Sequence, residues 1–161
     1  MTGDSELDEI LCYTYETELD ADINLVFECL NLDKHVLKWN TQIIENIYDG
    51  DESDLTEGST FITRQKVGKK TYEFIGKYAK YNSPKHAIVE TTTKEGLSKT
   101  EYTLEKTSEG TKFTVNVYLI PSNWFYKTLM KIFKGSVKPM YDEQFDLFVD
   151  YVYEQVYKLE S

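Results

Sequence analysis

Few side chains in this sequence are equipped for chemistry, and their spacing fits no established catalytic unit. There are two histidines, His35 and His86, and two cysteines, Cys12 and Cys29. A hydrolytic triad needs a histidine beside an activated nucleophile, and no nucleophile motif accompanies either histidine. Cys29 and His35 are six residues apart across a predicted helix break, a spacing that fits no Cys–His dyad. Both histidines are expected at the surface or rim. Gly-x-Gly-x-x-Gly, the P-loop, His-Glu-x-x-His and Cys-x-x-Cys are absent. That argues against nucleotide chemistry by the standard loops and against a structural zinc site. The run Asp49-Gly50-Asp51-Glu52-Ser53-Asp54 has the glycine and glutamate of a calcium loop out of register and reads as a solvated hairpin. No cofactor and no metal is expected. What remains is proton transfer, since a cyclase needs little more than a shaped cavity with a Tyr, Asp or Glu in it. Glu16, Glu73 and Glu90 are strand carboxylates. Alternation turns Glu16 and Glu73 outward, so a binder is favoured over an enzyme.

The more distinctive supply is aromatic: thirteen tyrosines and eight phenylalanines. Such rings bring large apolar area, and each tyrosine hydroxyl also wants a polar partner. A length of 161 residues fits one domain, residues 1–161, with 1–7 expected as a flexible tail. The net charge of −10 argues against nucleic acid, which needs a basic face. The acidic start lacks a signal peptide's apolar stretch. No run approaches the roughly 20 apolar residues that span a bilayer. Two cysteines do not make a disulfide framework. A cytoplasmic protein is expected.

The elements that must position these residues follow from periodicity. Asp8 to Leu19 alternates as a strand, with Leu11, Tyr13, Tyr15, Thr17 and Leu19 on one face. Asp20 is the expected N-cap of a helix whose Ile23, Val26, Phe27 and Leu30 recur at helical spacing. A second short helix covers 32–38. Strands are expected at 41–48, 59–67, 70–81, 85–93, 98–106 and 111–120. Their short loops make an antiparallel meander, and Pro121 ends the last strand. The period then changes to about 3.6. Phe125, Leu129 and Ile132 share a face of one helical stretch, and Ser136 is the expected cap of a second, with Pro139 in its first turn. Tyr141, Phe145, Phe148, Val152, Val156 and Leu159 form an apolar stripe along that last helix.

These segments resemble the START-like (SRPBCC) superfamily, which includes the polyketide cyclase/dehydrase-like proteins. Leu19-Asp20-Ala21-Asp22-Ile23-Asn24-Leu25-Val26-Phe27-Glu28-Cys29-Leu30 resembles its first strand-to-helix junction. Lys38-Trp39-Asn40 places a tryptophan where the family often has one. Glu57-Gly58-Ser59-Thr60-Phe61 resembles the glycine opening the third strand, and Gly110-Thr111-Lys112-Phe113 the hairpin opening the last. The resemblance runs from Asp8 to Leu159. Trp124-Phe125-Tyr126 departs from it by adding aromatics after the last strand. It implies an α+β helix-grip fold: a seven-stranded curved antiparallel sheet around a long C-terminal helix, with two short helices between strands one and two. It does not imply one activity, because the superfamily includes lipid and hormone binders, polyketide cyclases and chaperone activators.

In such a fold the more apolar face turns inward. That places Tyr13 and Tyr15 of strand one, and Phe61, Thr63 and Gln65 of strand three, on the cavity side. Tyr72, Phe74 and Tyr78 of strand four, Tyr102 of strand six and Val117 of strand seven join them. Strand five stays unassigned, because Ile88 and Val89 have opposite parity. Phe145 and Phe148 are the helix's contribution, and Trp39 and Phe125 are expected near the mouth. Scattered hydroxyls and an amide on an apolar wall suit a ligand site better than a dry core. The expected partner is a small hydrophobic molecule such as a lipid, an isoprenoid or an aromatic polyketide. The alternatives are a cyclase/dehydratase-like enzyme, with a carboxylate or histidine in the pocket, and a chaperone-activator-like interaction domain. Lys127, Lys131, Lys134 and Lys138 fall in a stretch without acids and alternate with apolar residues. The expected arrangement packs that stretch's apolar side on the sheet with its lysines in water. The alternative lays 124–138 weakly on an anionic membrane surface.

Overall fold

Residues 9–160 are described by a computed structural model; the expected tail at 1–7 lies outside them. Seven strands form one antiparallel sheet in the order β1-β7-β6-β5-β4-β3-β2. They are β1 (Ile10–Leu19), β2 (Ile43–Tyr48), β3 (Thr60–Val67), β4 (Lys70–Asn82), β5 (His86–Thr93), β6 (Gly96–Lys106) and β7 (Thr111–Pro121). Each strand from β2 to β7 pairs with its sequence neighbour, as short hairpin turns require, and β1 closes on β7. Gly96 shows why the β5–β6 turn needs glycine. Its φ is +145°, and a Cβ there would lie 2.1 Å from the Ile120 carbonyl oxygen.

Two short helices, α1 (Ile23–Asn31) and α2 (Asp33–Trp39), bridge β1 and β2. The cap of α1 is Asp22 rather than the expected Asp20. The Asp22 carboxylate accepts from the Asn24 amide at 3.0 Å, while the Asp20 amide donates to the Tyr153 hydroxyl at 3.1 Å. Ile23, Val26, Phe27, Cys29 and Leu30 are buried. Trp39 ends α2 and donates its indole N–H to the Cys29 carbonyl at 2.9 Å, tying the two helices together.

A 23-residue helix, α4 (Lys138–Glu160), lies across the sheet. Phe148 and Val152 are fully buried, and Phe148 packs on Phe113 with ring centroids 4.9 Å apart. The apolar stripe leaves the sheet at its end, where Leu159 is exposed. Ser136 does not cap this helix; its hydroxyl donates to the Phe133 carbonyl at 2.6 Å. In β1 a bulge between Leu11 and Tyr13 shifts the register against β7. Leu11 is thereby turned to solvent, off the face that Tyr13, Tyr15 and Leu19 share.

The largest departure is α3 (Trp124–Phe133), between β7 and α4. None of its residues is buried. Tyr126 and Met130 are half-buried, and Phe125, Leu129, Ile132 and Phe133 are exposed. The apolar side therefore faces away from the sheet, against the expected packing.

Candidate ligand-binding site

Because α4 lies over β1 and β7, it fills that half of the concave face. The other half, from β2 to β6, stays open beneath α1, α2 and the start of α4. There the structure holds a cavity of about 310 Å³. Three kinds of surface make its wall.

An aromatic wall comes from Trp39, Tyr48, Phe61, Phe74, Tyr78 and Phe145. Phe61 packs between Tyr48 and Tyr78, with centroids 5.6 and 5.5 Å away. A hydroxyl wall comes from β5 and β6, where Thr91, Ser98, Thr100 and Tyr102 point the same way. Registry explains it: Thr91 pairs with Ser98, Val89 with Thr100 and Ala87 with Tyr102, so one parity on both strands faces the cavity. That resolves strand five in favour of Val89. Burial of the Tyr102 phenol pushes its pKa upward, as does the neighbouring Tyr141.

The third surface is a polar cluster where α2 meets β2. Asp33 Oδ1 accepts from the Tyr48 hydroxyl and from Asn46 Nδ2, each at 2.8 Å. The Asp33 amide in turn donates to Glu52 Oε2 at 2.7 Å, which anchors the start of α2 to the turn after β2. These bonds fix the amide of Asn46, since a flip would set its oxygen against the carboxylate. The Asn46 carbonyl oxygen is then buried with no hydrogen-bond partner among the described residues. Asp33 is also the single charged residue among the described residues of the wall, which includes no Lys, Arg or His. Burial, then the Asp33 bond and charge, push the Tyr48 phenol upward, so Tyr48 stays a donor.

Of the residues picked out from the sequence, Trp39, Phe61, Thr63, Gln65, Phe74, Tyr102 and Phe145 lie together on this wall. Tyr13, Tyr15, Tyr72, Val117, Phe125 and Phe148 lie elsewhere, for three reasons. Tyr13, Tyr15 and Val117 sit under α4, and Phe148 is the α4 side chain packed onto that half of the sheet. The Tyr13 ring stacks on Tyr141 at 4.9 Å, and the Tyr13 and Tyr15 hydroxyls donate to Asp142 and Asp146 of the helix itself at 2.6 and 3.2 Å. Tyr72 is exposed near the start of β4, beyond the reach of α4. Phe125 is on the outer side of α3. Nor is Trp39 at a mouth: it is 5% exposed, against Phe145 and Phe148. Val67 is the exposed residue of the wall, so the cavity meets solvent beside the β3–β4 turn.

Asp33, Asn46 and Tyr48 were missed by reading parity strand by strand. Asn46 pairs with Thr63 and Tyr48 with Phe61 across the β2–β3 ladder. Carrying the inward parity of Phe61 and Thr63 over that hairpin finds both. The histidines lie off the wall: His86 Nε2 is 2.7 Å from Glu101, and His35 Nδ1 is 2.7 Å from the Tyr151 hydroxyl. Glu16 faces Lys112, and Glu73 faces Arg64, both at 3.7 Å.

The buried phenols make a prediction about alkali. Burial first, then the charge of Asp146, push Tyr15 up to about 12 from an ordinary 10.0. Tyr13, Tyr48, Tyr78 and Tyr102 move in the same direction. Below about pH 10 both folded and unfolded chains keep these protons, and stability is constant on this account. Above it the unfolded chain ionises first, so stability falls as pH rises toward about 12. An ultraviolet difference titration should show these tyrosines ionising together with loss of near-ultraviolet circular dichroism. Thirteen normal, independent titrations in a folded protein would contradict this.

A family model described as "Activator of Hsp90 ATPase homolog 1-like protein" matches residues 20–145. No curated protein matches the sequence. Solved structures share the architecture. Protein NE0264 from Nitrosomonas europaea is 15% identical, with a TM-score of 0.67, covering 93% of this chain and 97% of its own. The AHSA1-like protein from Aeromonas hydrophila is 16% identical, with a TM-score of 0.61, covering 92% and 94%. SA2116 from Staphylococcus aureus, a protein of unknown function, is 14% identical, with a TM-score of 0.67, covering 95% and 96%. At these identities the likeness is one of fold.

Proposed function

As the chain belongs to the Activator of Hsp90 ATPase homolog 1-like family, within the START-like superfamily, we propose that it binds a small, uncharged hydrophobic molecule in the cavity between β2–β6 and α4. The carrying observation is a cavity walled by apolar, hydroxyl and amide side chains, with Asp33 its single charged residue and, beside it, the buried Asn46 side-chain oxygen without a partner among the described residues. A buried acceptor of this kind calls for a donor. A ligand hydroxyl or N–H placed there would bond Asn46 or Asp33, while its apolar body lies against Phe61, Phe74 and Phe145. The acidic wall disfavours a carboxylate or phosphate at that position. At about 310 Å³ the cavity is at the small end of ligand pockets, which run from roughly 300 to 1,000 Å³. That suits one ring system or a short isoprenoid and is far too small for a two-chain lipid.

Calorimetric titration with a matched set tests this reading: 1-naphthol, naphthalene and 1-naphthoate. The expected order is naphthol tightest, naphthalene about tenfold weaker for lack of the donor, and naphthoate weakest. In Asn46→Leu the advantage of naphthol over naphthalene should shrink or vanish. Naphthoate binding tightest would sink the proposal.

Asp33 also favours a second reading, a cyclase/dehydratase-like enzyme. The Asp33 carboxylate and the Tyr48 hydroxyl form a hydrogen-bonded acceptor–donor pair on the wall, the arrangement general acid–base chemistry needs. Asp33→Asn distinguishes the two: an enzyme loses turnover, while a binder merely changes its preference between ligands. The chaperone-activator role in the family's description belongs to its namesake; the cavity favours a small molecule here.

A further inference from the structure

The α3 face is the feature that a ligand cavity leaves unexplained. Phe125, Leu129 and Ile132 recur at steps of four and three, on one side of the helix, and are 65%, 38% and 66% exposed. Phe133 extends that side at 55%. Its placement is well defined by its own ends. The Asn123 side chain caps the first turn by accepting from the Tyr126 amide at 3.0 Å, and Pro121 fixes the chain's exit from β7. On the protein side, Tyr126 and Met130 are the half-buried anchors. The apolar face is therefore held outward by the fold. Monomeric proteins rarely display such a row without something that covers it.

Charge identifies the covering surface. From Ser122 to Tyr141 the chain has four lysines and no acid, although its net charge is −10. Lys131 and Lys134 are exposed. The Lys127 ammonium lies 4.3 Å over the Trp124 ring, and Lys138 pairs with Asp142 at 2.5 Å at the border of the patch. On the helix Lys127 and Lys131 lie on the side away from the exposed apolar row, where an interfacial helix has its basic face. A second copy of this segment would bring four more lysines and no acid to meet them. An anionic bilayer matches both halves of the pattern: its acyl boundary takes an apolar face to a depth of about 5–10 Å, and its headgroups attract the lysines. Among the described residues no helix is long and apolar enough to cross a membrane, so the contact is with the surface.

We propose that α3 docks this protein on anionic phospholipid membranes, with Phe125, Leu129, Ile132 and Phe133 at the acyl boundary and the surrounding lysines among the headgroups. α3 begins after Pro121, which pairs with Gly96 at one end of the sheet.

The test is co-sedimentation of the full chain with phosphatidylcholine–phosphatidylserine vesicles, against phosphatidylcholine alone, at low and high salt. Binding should require phosphatidylserine and weaken with salt, and brominated acyl chains should quench Trp124. The double variant Phe125→Glu/Ile132→Glu, with unchanged circular dichroism, should bind about tenfold more weakly or not at all. Lys131→Gln/Lys134→Gln should lose chiefly the preference for phosphatidylserine. Wild-type chain left in the supernatant with both vesicles would overturn the proposal. So would equal vesicle binding by the Phe125/Ile132 variant. A wild-type dimer that this variant dissolves, without vesicle binding, would assign the face to self-association instead. Cavity ligands are absent from every arm, so the result stands apart from the naphthol titration.

Discussion

Replacing Thr100 with tryptophan is expected to reduce naphthol affinity about 100-fold or more. Thr100 stands mid-strand in β6, between Val89 of β5 and Val117 of β7, and its side chain is on the cavity wall. An indole at that position extends into the open volume and occupies much of about 310 Å³. Tryptophan is a good strand residue, and the added bulk enters a space instead of a packed core. Stability should therefore change by less than the roughly 1–3 kcal/mol of ordinary overpacking. Titration with 1-naphthol and urea denaturation of the same sample separate the two effects. Unchanged affinity in a folded Thr100→Trp protein would mean that the ligand binds elsewhere.

Phe148→Ala should be the most damaging single truncation, lowering the free energy of unfolding by about 3–5 kcal/mol. Phe148 is 0% exposed and holds α4 on the sheet from the middle of the helix. Its ring lies 4.9 Å from Phe113 and 5.0 Å from Trp39, so it joins the helix to both β7 and α2. Removing it leaves a void among groups that are themselves locked: Phe113 is fully buried, and Trp39 is held by its bond to Cys29. Such a site collapses poorly, which puts the loss at the upper end for a large-to-small change. The urea midpoint of the variant against wild type measures it. A loss below about 1 kcal/mol would show that α4 is not anchored there.

The fold was legible because its signals are local. Alternation and hairpin glycines mark β3 to β7, and a 3.6-residue stripe marks α4. The site was legible only in part, because it depends on where the helix lies. Inward parity is shared by Tyr13 and Tyr102 alike. One is covered by α4 and stacked on Tyr141, while the other looks into the cavity. No periodicity within β1 or β6 distinguishes them. The polar cluster was hidden for a related reason. Asp33 is a first-turn residue of α2, and Asn46 and Tyr48 acquire their direction from pairing with β3. α3 misled in the opposite sense. An amphipathic pattern reports that one face differs from the other, and burial against the sheet was assumed for its apolar side. The structure turns that side out.

The most direct test of the ligand account is a native mass spectrum of wild type and Thr100→Trp, each purified by the same gentle route and then incubated with excess 1-naphthol. A single naphthol adduct on wild type, or one native small molecule that naphthol displaces, with neither present on Thr100→Trp, is the predicted result. A wild-type chain that carries no small molecule and takes up no naphthol, or one that Thr100→Trp matches in adduct, would contradict it.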